Sequence, residues 1–357
     1  MSRFISRRFD ALKQYVPGEQ PQDQKYVKLN TNESPYPPAP AVIDRINKAE
    51  VENLKLYSDP DCRVLREMLA LQYGVGMENV FVSNGSDESL SFAFMAFSDK
   101  DTGAVFPDIS YGFYKVYAQL YGIDYEMIPL KEDLTIDPAD YFGRGKTVVI
   151  ANPNAPTGIA LKPAQIEEII QKNPDNVVVI DEAYVDFGGE SVVPLTKKYD
   201  NLLVVQTFSK SRSMAGARLG FAIGSKALIA DLNKIKFSTN PYNINRLTAA
   251  AGEATLSEPS YYNDNCKKII ETRRWTAEKL SKLGFTMTDS SANFLFAKSD
   301  KMDGSDLYRL LKEKGILVRH FDAPRISPYL RITIGTMAEM ETLICALTEI
   351  LSNGGSV

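Results

Sequence analysis

Val177-Val178-Val179-Ile180-Asp181-Glu182-Ala183-Tyr184 is a β-branched apolar run that stops abruptly at an acid. A second run, Leu202-Leu203-Val204-Val205, continues through Gln206-Thr207-Phe208-Ser209 and stops at Lys210. Neither alternates apolar with polar, so each reads as a strand covered on both faces by helices. Val80-Phe81-Val82 and Thr147-Val148-Val149-Ile150 have the same character. Between them, Lys162 to Lys172 spaces its apolar residues as a helix does, with charge on the other face. This alternation, from about Val80 to Gly224, predicts an α/β unit whose sheet is mainly parallel. The tail has a different pattern. Tyr261 to Leu283 predicts a long helix ended by Gly284. Strand-like Asn293–Phe296, a helix near Asp306–Lys314, and strands at Ile316–Val318 and Leu330–Thr333 follow, forming a smaller α+β unit. The expected division is an arm with part of the small domain at 1–40, a large domain at 41–250 and a small C-terminal domain at 251–357.

Composition narrows the function classes. Of 357 residues, 44% are hydrophobic and 24% charged, an ordinary globular mix that excludes a disordered or fibrous chain. With 45 acidic against 41 basic residues, the chain lacks the basic excess that a nucleic-acid partner would call for. No apolar stretch approaches the ~20 residues that span a bilayer. Met1-Ser2-Arg3-Phe4-Ile5-Ser6-Arg7-Arg8 has positive charge with no apolar core behind it, so a cytoplasmic protein is expected. Cys62, Cys266 and Cys345 stand far apart and His320 is the only histidine, which leaves little material for a metal site or a Ser-His-Asp triad.

Four features carry chemistry. Lys210 lies at the mouth of a buried strand, where an unpaired ammonium is costly. It either snorkels into solvent or serves as an imine-forming amine. Asp181 ends its strand where α/β sheets place ligand-binding residues, although it could simply cap the next helix. Ser83-Asn84-Gly85-Ser86-Asp87-Glu88 precedes an apolar helix expected to begin near Leu90; its small residues suit either a phosphate at a helix N-terminus or a plain cap by Ser86 or Asp87. Asn152-Pro153-Asn154-Ala155-Pro156-Thr157-Gly158 makes a rigid turn after a strand. Together they offer a phosphate cradle, a rigid loop, an acid and an amine at the carboxyl ends of one sheet. Pyridoxal phosphate needs this set, because its phosphate, aldehyde and ring nitrogen each demand a partner. Lys210 would form the Schiff base, and Asp181 would keep the ring nitrogen protonated. Arg218, Ser209 and the amides of Gly85, Ser86 and Asp87 would take the phosphate. Tyr111 would lie on the ring face, and Tyr184 would reach the ring hydroxyl.

These blocks, in this order, resemble the fold type I pyridoxal-phosphate aminotransferases, and among them the histidinol-phosphate aminotransferases. The resemblance runs from Tyr15-Val16-Pro17-Gly18 to Ile334-Gly335-Thr336. It rests on Leu29-Asn30-Thr31-Asn32-Glu33-Ser34-Pro35, Tyr57-Ser58-Asp59-Pro60, Gly85-Ser86-Asp87-Glu88, Asp181-Glu182-Ala183-Tyr184, and Ser209-Lys210 with Arg218. It implies an α/β fold whose large domain has a mainly parallel seven-stranded sheet between helices, the roles just given, and catalytic status for Lys210, Asp181 and Tyr184. It further implies a homodimer in which Tyr57 reaches the neighbouring subunit's cofactor phosphate. Arg331, Arg319 and Tyr15 would bind the substrate's anionic group, with Asn32 near the same pocket. The implied substrates are histidinol phosphate with 2-oxoglutarate, interconverted with imidazole-acetol phosphate and glutamate. A decarboxylase of threonine phosphate and an aminotransferase of aromatic or broad specificity are the competing implications. Two positions depart from the family pattern. Ala155 replaces the asparagine that commonly contacts the ring hydroxyl, so Asn154, one residue early, is the cofactor-binding residue expected there, and Ser211-Arg212 follow the lysine where a small residue and an aromatic are common.

Overall fold

The computed structural model describes residues 12–13 and 15–353. A short strand, β1 (Val27–Lys28), precedes the strands of the larger sheet: β2 (Val80–Ser83), β3 (Ala104–Pro107), β4 (Tyr125–Ile128), β5 (Thr147–Ala151), β6 (Val178–Asp181), β7 (Leu202–Thr207) and β8 (Gly220–Gly224). The spatial order is β2-β8-β7-β6-β5-β3-β4. All pairs are parallel except those of β8, which runs against both β2 and β7. The expected seven-stranded, mainly parallel sheet is therefore present, and its one reversed strand matters for the site. Because β8 runs backwards, the residues just before it reach the same edge as the carboxyl ends of β2, β3, β5, β6 and β7.

The β-branched runs bury both faces of the sheet, as their lack of alternation requires. Val178, Ile180, Leu202 and Val204 pack on one side with Leu69, Ile166 and Ile169. Val179, Leu203 and Val205 pack on the other with Leu90, Tyr114 and Leu232. The expected helix at 162–172 spans Pro163–Gln171, with Pro163 at its first turn, where its missing N–H costs nothing.

The smaller sheet holds β9 (Phe285–Met287), β10 (Phe294–Ser299), β12 (Arg319–His320) and β13 (Tyr329–Thr333), in the order β12-β13-β10-β9; β11 (Ile316–Leu317) pairs instead with β1. That parallel pair returns the N-terminal segment to the C-terminal part, so the first thirty residues are not wholly irregular. The long helix Pro259–Lys282 joins the two cores: Tyr262 packs into the larger one, Cys266 and Ile269 into the smaller.

Candidate active site

Three strand ends set the floor of a pocket lined by Ser86, Asp87, Tyr111, Ala151, Ala155, Asp181, Ala183, Tyr184, Thr207, Ser209, Lys210 and Arg218. Nearly every residue expected around a cofactor is in it.

At one end lies an anion cradle. The helix expected to start near Leu90 begins at Gly85, which takes φ +73 and lets the chain turn from β2 straight into the helix. Ser86 and Asp87 thus fall in the first turn rather than at the cap, and Glu88 Oε2 accepts the Asn84 amide at 2.7 Å. A Cβ on Gly85 would lie 2.5 Å from Arg218 Nη2, and one on Gly220 would lie 2.4 Å from the Ser86 nitrogen. Two glycines therefore permit the guanidinium and the helix amides to converge. Arg218 Nη2 donates to Asp87 Oδ2 at 2.7 Å, and the Tyr111 hydroxyl donates to Asp87 Oδ1 at 2.7 Å. Asp87 is thus the brace that aims both.

At the other end is Asp181, the buried last residue of β6. Its Oδ1 accepts the Ala183 amide at 3.2 Å and its Oδ2 the Tyr114 hydroxyl at 2.9 Å. Burial pushes its carboxyl up to about 6 despite those two donors. A carboxylate so placed favours a cationic partner. Between the two ends, Lys210 Nζ donates to the Thr31 carbonyl at 3.2 Å and lies 5.7 Å from the Tyr184 ring centroid. An anion cradle, an amine and a buried acid, with an aromatic plate alongside, fit the phosphate, aldehyde and ring nitrogen of pyridoxal phosphate.

A wider cleft adjoins this pocket and shares Tyr111, Ala155, Tyr184 and Lys210 with it. Tyr15, Asn32, Arg319 and Arg331 line it. Arg319 and Arg331 are direct cross-strand partners of β12 and β13, so one stretch of sheet presents both. Arg331 donates to the Asn30 carbonyl at 3.0 Å and lies 5.5 Å from the rings of Phe294 and Phe321. Its Nε is shielded from solvent, with no hydrogen-bond partner among the described residues. Burial lowers its affinity for its proton, and among the described residues it has no ion pair. An incompletely paired guanidinium is an anion receptor. Tyr15 stacks on Phe113 at 4.2 Å, and burial holds its phenol above the ordinary range against the pull of Arg331 and Arg319.

Asn154 is placed differently from expectation, and Arg319, Asn32 and Tyr57 have partners the sequence did not show. Arg319 lines the cleft, but its Nη atoms donate to the Pro17 and Val16 carbonyls at 3.1 and 2.9 Å, so it fastens the arm that carries Tyr15. Asn154 does not line the cofactor pocket. Its amide goes to the Ile109 carbonyl and Thr157 Oγ1, and its carbonyl accepts from Ser110, so it braces its own loop. Asn32 donates to the Tyr184 hydroxyl at 3.0 Å while Thr333 Oγ1 donates to Asn32 Oδ1, so it orients Tyr184. Tyr57 is 80% exposed, stacked on Tyr242 at 4.5 Å, and away from the pocket of its own chain. Sequence reasoning missed Tyr114. The available signal was a tyrosine on the apolar face shared with Tyr117 and Ala118, since a buried phenol needs an acceptor.

The chain matches aminotransferase class I and II over residues 24–347. Histidinol-phosphate aminotransferase of Brachyspira hyodysenteriae is 49% identical over 354 residues, covering 99% of this chain and 100% of its own. The enzyme of that name from Clostridium botulinum (strain Kyoto / Type A2) is 47% identical over 352 residues, 99% of each chain. Among solved structures, histidinol-phosphate aminotransferase from Sinorhizobium meliloti, in complex with pyridoxal-5'-phosphate, superposes with a TM-score of 0.87 at 23% identity, over 99% of this chain and 100% of that one. L-threonine-O-3-phosphate decarboxylase from Porphyromonas gingivalis has the same fold, with a TM-score of 0.77 at 23% identity over 91% and 99%. Since the matched span takes in both sheets as well as the acid, the amine and the unpaired arginine, the chain belongs to the aminotransferase class I and II family.

Proposed function

We propose that this enzyme uses pyridoxal phosphate to exchange amino groups between histidinol phosphate and 2-oxoglutarate, yielding imidazole-acetol phosphate and glutamate in histidine biosynthesis. The observation that carries the reading is the continuity of two compartments, an inner pocket with the acid and phosphate cradle and an outer cleft with a buried, underpaired arginine, joined at Lys210. The near-full-length relatives of that name support the choice of substrate. Histidine biosynthesis makes the cytoplasm the proposed location; among the described residues no helix is long and apolar enough to cross a membrane. Residues 41–250 would hold the cofactor, while the arm at 1–40 and residues 251–357 would bring the substrate clamp to it.

When bound, the cofactor supplies an aldehyde that exchanges for the substrate's amino group and a protonated ring that withdraws electrons from the reacting carbon. Arg218, Ser209 and the Ser86 and Asp87 amides would hold its phosphate, and Tyr111 would cover the ring. The Asp181 carboxylate would accept a hydrogen bond from the ring N–H and so keep that proton on the ring nitrogen. The Tyr184 hydroxyl, oriented by Asn32, reaches the ring hydroxyl; with Ala155 and Asn154 both unable to do so, it acts alone. Lys210 Nζ would take the proton from the amino-bearing carbon of the donor and, in the opposite half of the exchange, deliver one on the same face to the oxo carbon of the acceptor. Arg331 holds the donor's anionic group. A carboxylate and a phosphate each present two oxygens, so one guanidinium fork serves both halves of the exchange.

Arg331→Ala should weaken glutamate and histidinol phosphate together. Losing one partner of a desolvated charge pair costs about 2–5 kcal/mol, roughly 30- to several-thousand-fold in affinity. Arg319→Ala should cost less, since its loss acts by freeing the Val16–Pro17 arm. Single-turnover titrations of each half-reaction read both effects. An Arg331→Ala enzyme with unchanged affinity for either substrate would remove the shared clamp from the account.

The active form is proposed to be a homodimer. The segment from Ile43 to Leu71 exposes Ile43, Val51, Leu54, Leu56, Tyr57, Val64 and Leu71, more large apolar side chains than a monomer ordinarily leaves in water. Tyr57 would cross to the partner's phosphate cradle. Hybrids of a Tyr57→Phe chain with a Lys210→Ala chain should then contain one pocket with neither lesion and recover about half the normal activity. Recovery no greater than the mean of the two parents would place Tyr57 in its own subunit's site.

A further inference from the structure

Tyr114 is the donor that the reading above leaves without a task. It lies in the helix Phe113–Tyr121, is 0% exposed, and directs its hydroxyl at Asp181 Oδ2 from 2.9 Å. Its ring is fixed on three sides: stacked on Phe94 at 6.2 Å, edge-on to Phe106 at 5.8 Å, and perpendicular to Tyr111 at 5.7 Å. The hydroxyl is thus held in place by packing rather than by its own hydrogen bond. Burial and the neighbouring Asp181 keep the phenol protonated far above neutrality, so it can only donate to a carboxylate.

Asp181 needs such a donor. Two charged groups act on it and oppose one another: Lys210 favours the ionised carboxylate and Asp87 disfavours it. With those effects set against each other, two hydrogen bonds from the described residues remain to offset burial, and among those residues Tyr114 makes the only one from a side chain. Its geometry also restricts Asp181. One oxygen is tied to the Ala183 amide and the other to Tyr114, which fixes the plane of the carboxylate at the pocket floor.

We propose that Tyr114 is a positioning residue that keeps the Asp181 carboxylate ionised and aimed at the ring nitrogen of the cofactor. The inference rests on the pyridoxal-phosphate reading and deepens it. It divides the labour of two tyrosines three residues apart, Tyr111 just ahead of the helix and Tyr114 in its first turn: Tyr111 would cover the ring face, and Tyr114 would act through the acid on the ring edge.

The test compares two ligands in the apo-protein, pyridoxal phosphate and its analogue with carbon in place of the ring nitrogen. Tyr114→Phe removes one oxygen and keeps the packing. A hydrogen bond to a charged acceptor is worth roughly one to two powers of ten in affinity, so pyridoxal phosphate should bind about tenfold or more weakly to the variant. The carbon analogue, which has no ring N–H, should lose less than about twofold on the same scale. Equal losses for both ligands, or none for either, would overturn the proposal. Wild-type protein that failed to bind pyridoxal phosphate would overturn the cofactor reading itself, and the proposal with it. If Tyr114→Phe alone left no folded protein, adding Asp181→Asn should restore folding, because the carboxylate deprived of its donor is gone. A double variant equally unfolded would make Tyr114 a packing residue only.

Discussion

Lys210→Ala should lower the turnover of histidinol phosphate with 2-oxoglutarate by at least about 10⁴-fold, the largest effect expected of any single substitution. General acid–base catalysis alone contributes about 10²–10⁴, and the same amine also attaches the cofactor. The phosphate cradle of Arg218, Ser209 and the Gly85 turn does not depend on the lysine, so the variant should still bind pyridoxal phosphate. Borohydride treatment of the wild-type holoenzyme should bleach its visible band and leave the added mass on Lys210, and Lys210→Ala should acquire no such mass. Label on another lysine would move the reaction centre away from the mouth of β7.

Asp181→Asn should come second, with turnover reduced by two or more powers of ten and cofactor retained. The substitution keeps the shape but removes the charge that pairs with a protonated ring nitrogen, a charge-assisted bond about twice as strong as a neutral one. Near-normal turnover would mean that another group meets the ring nitrogen. The same variant makes a separate point about stability. A buried acid whose folded-state value is raised to about 6 binds its proton more tightly folded than unfolded. Its contribution is therefore most favourable below the ordinary carboxylate range and declines as pH rises to about 6, an effect of about 3 kcal/mol. Glu182, pushed up to about 7 by burial, acts with the same sign in both proteins. Thermal unfolding of the apo forms between pH 4 and 7 should show the wild type losing stability relative to Asp181→Asn as pH rises. A constant difference across that range would mean that Asp181 is no more reluctant to ionise than a surface acid.

How much of this was legible in the sequence depends on what burial costs. Asp181 and Lys210 stood out because each ends a fully apolar strand, and a charge placed there needs a compensating partner. Arg218 was legible as the arginine a short way past Ser209-Lys210, whereas the missing Cβ of Gly220, which admits the helix N-terminus beside it, was not. Arg331 and Arg319 could be placed on neighbouring strands, but the strand pattern does not say that one guanidinium would be spent on the Val16 and Pro17 carbonyls while the other kept a free Nε. Asn154 misled because an asparagine in a tight turn has several local partners, and backbone geometry decides among them. Tyr114 stayed hidden because a tyrosine on an apolar helical face reads as core, and its acceptor lies 67 residues away. The turn into the helix at Gly85 was read too late because Ser86, Asp87 and Glu88 look like a cap, whereas a glycine at positive φ lets the helix begin ahead of them.

The central claim is amino transfer from histidinol phosphate, and product analysis tests it most directly. Purified holoenzyme would be incubated with histidinol phosphate and 2-oxoglutarate, and separately with threonine phosphate and with aromatic amino acids, while glutamate and carbon dioxide are both measured. The account expects glutamate to form one-for-one with imidazole-acetol phosphate, a kcat/KM for histidinol phosphate above that for the other amines, and no carbon dioxide. Carbon dioxide released from threonine phosphate without glutamate, or a higher kcat/KM for an aromatic amino acid, would contradict it.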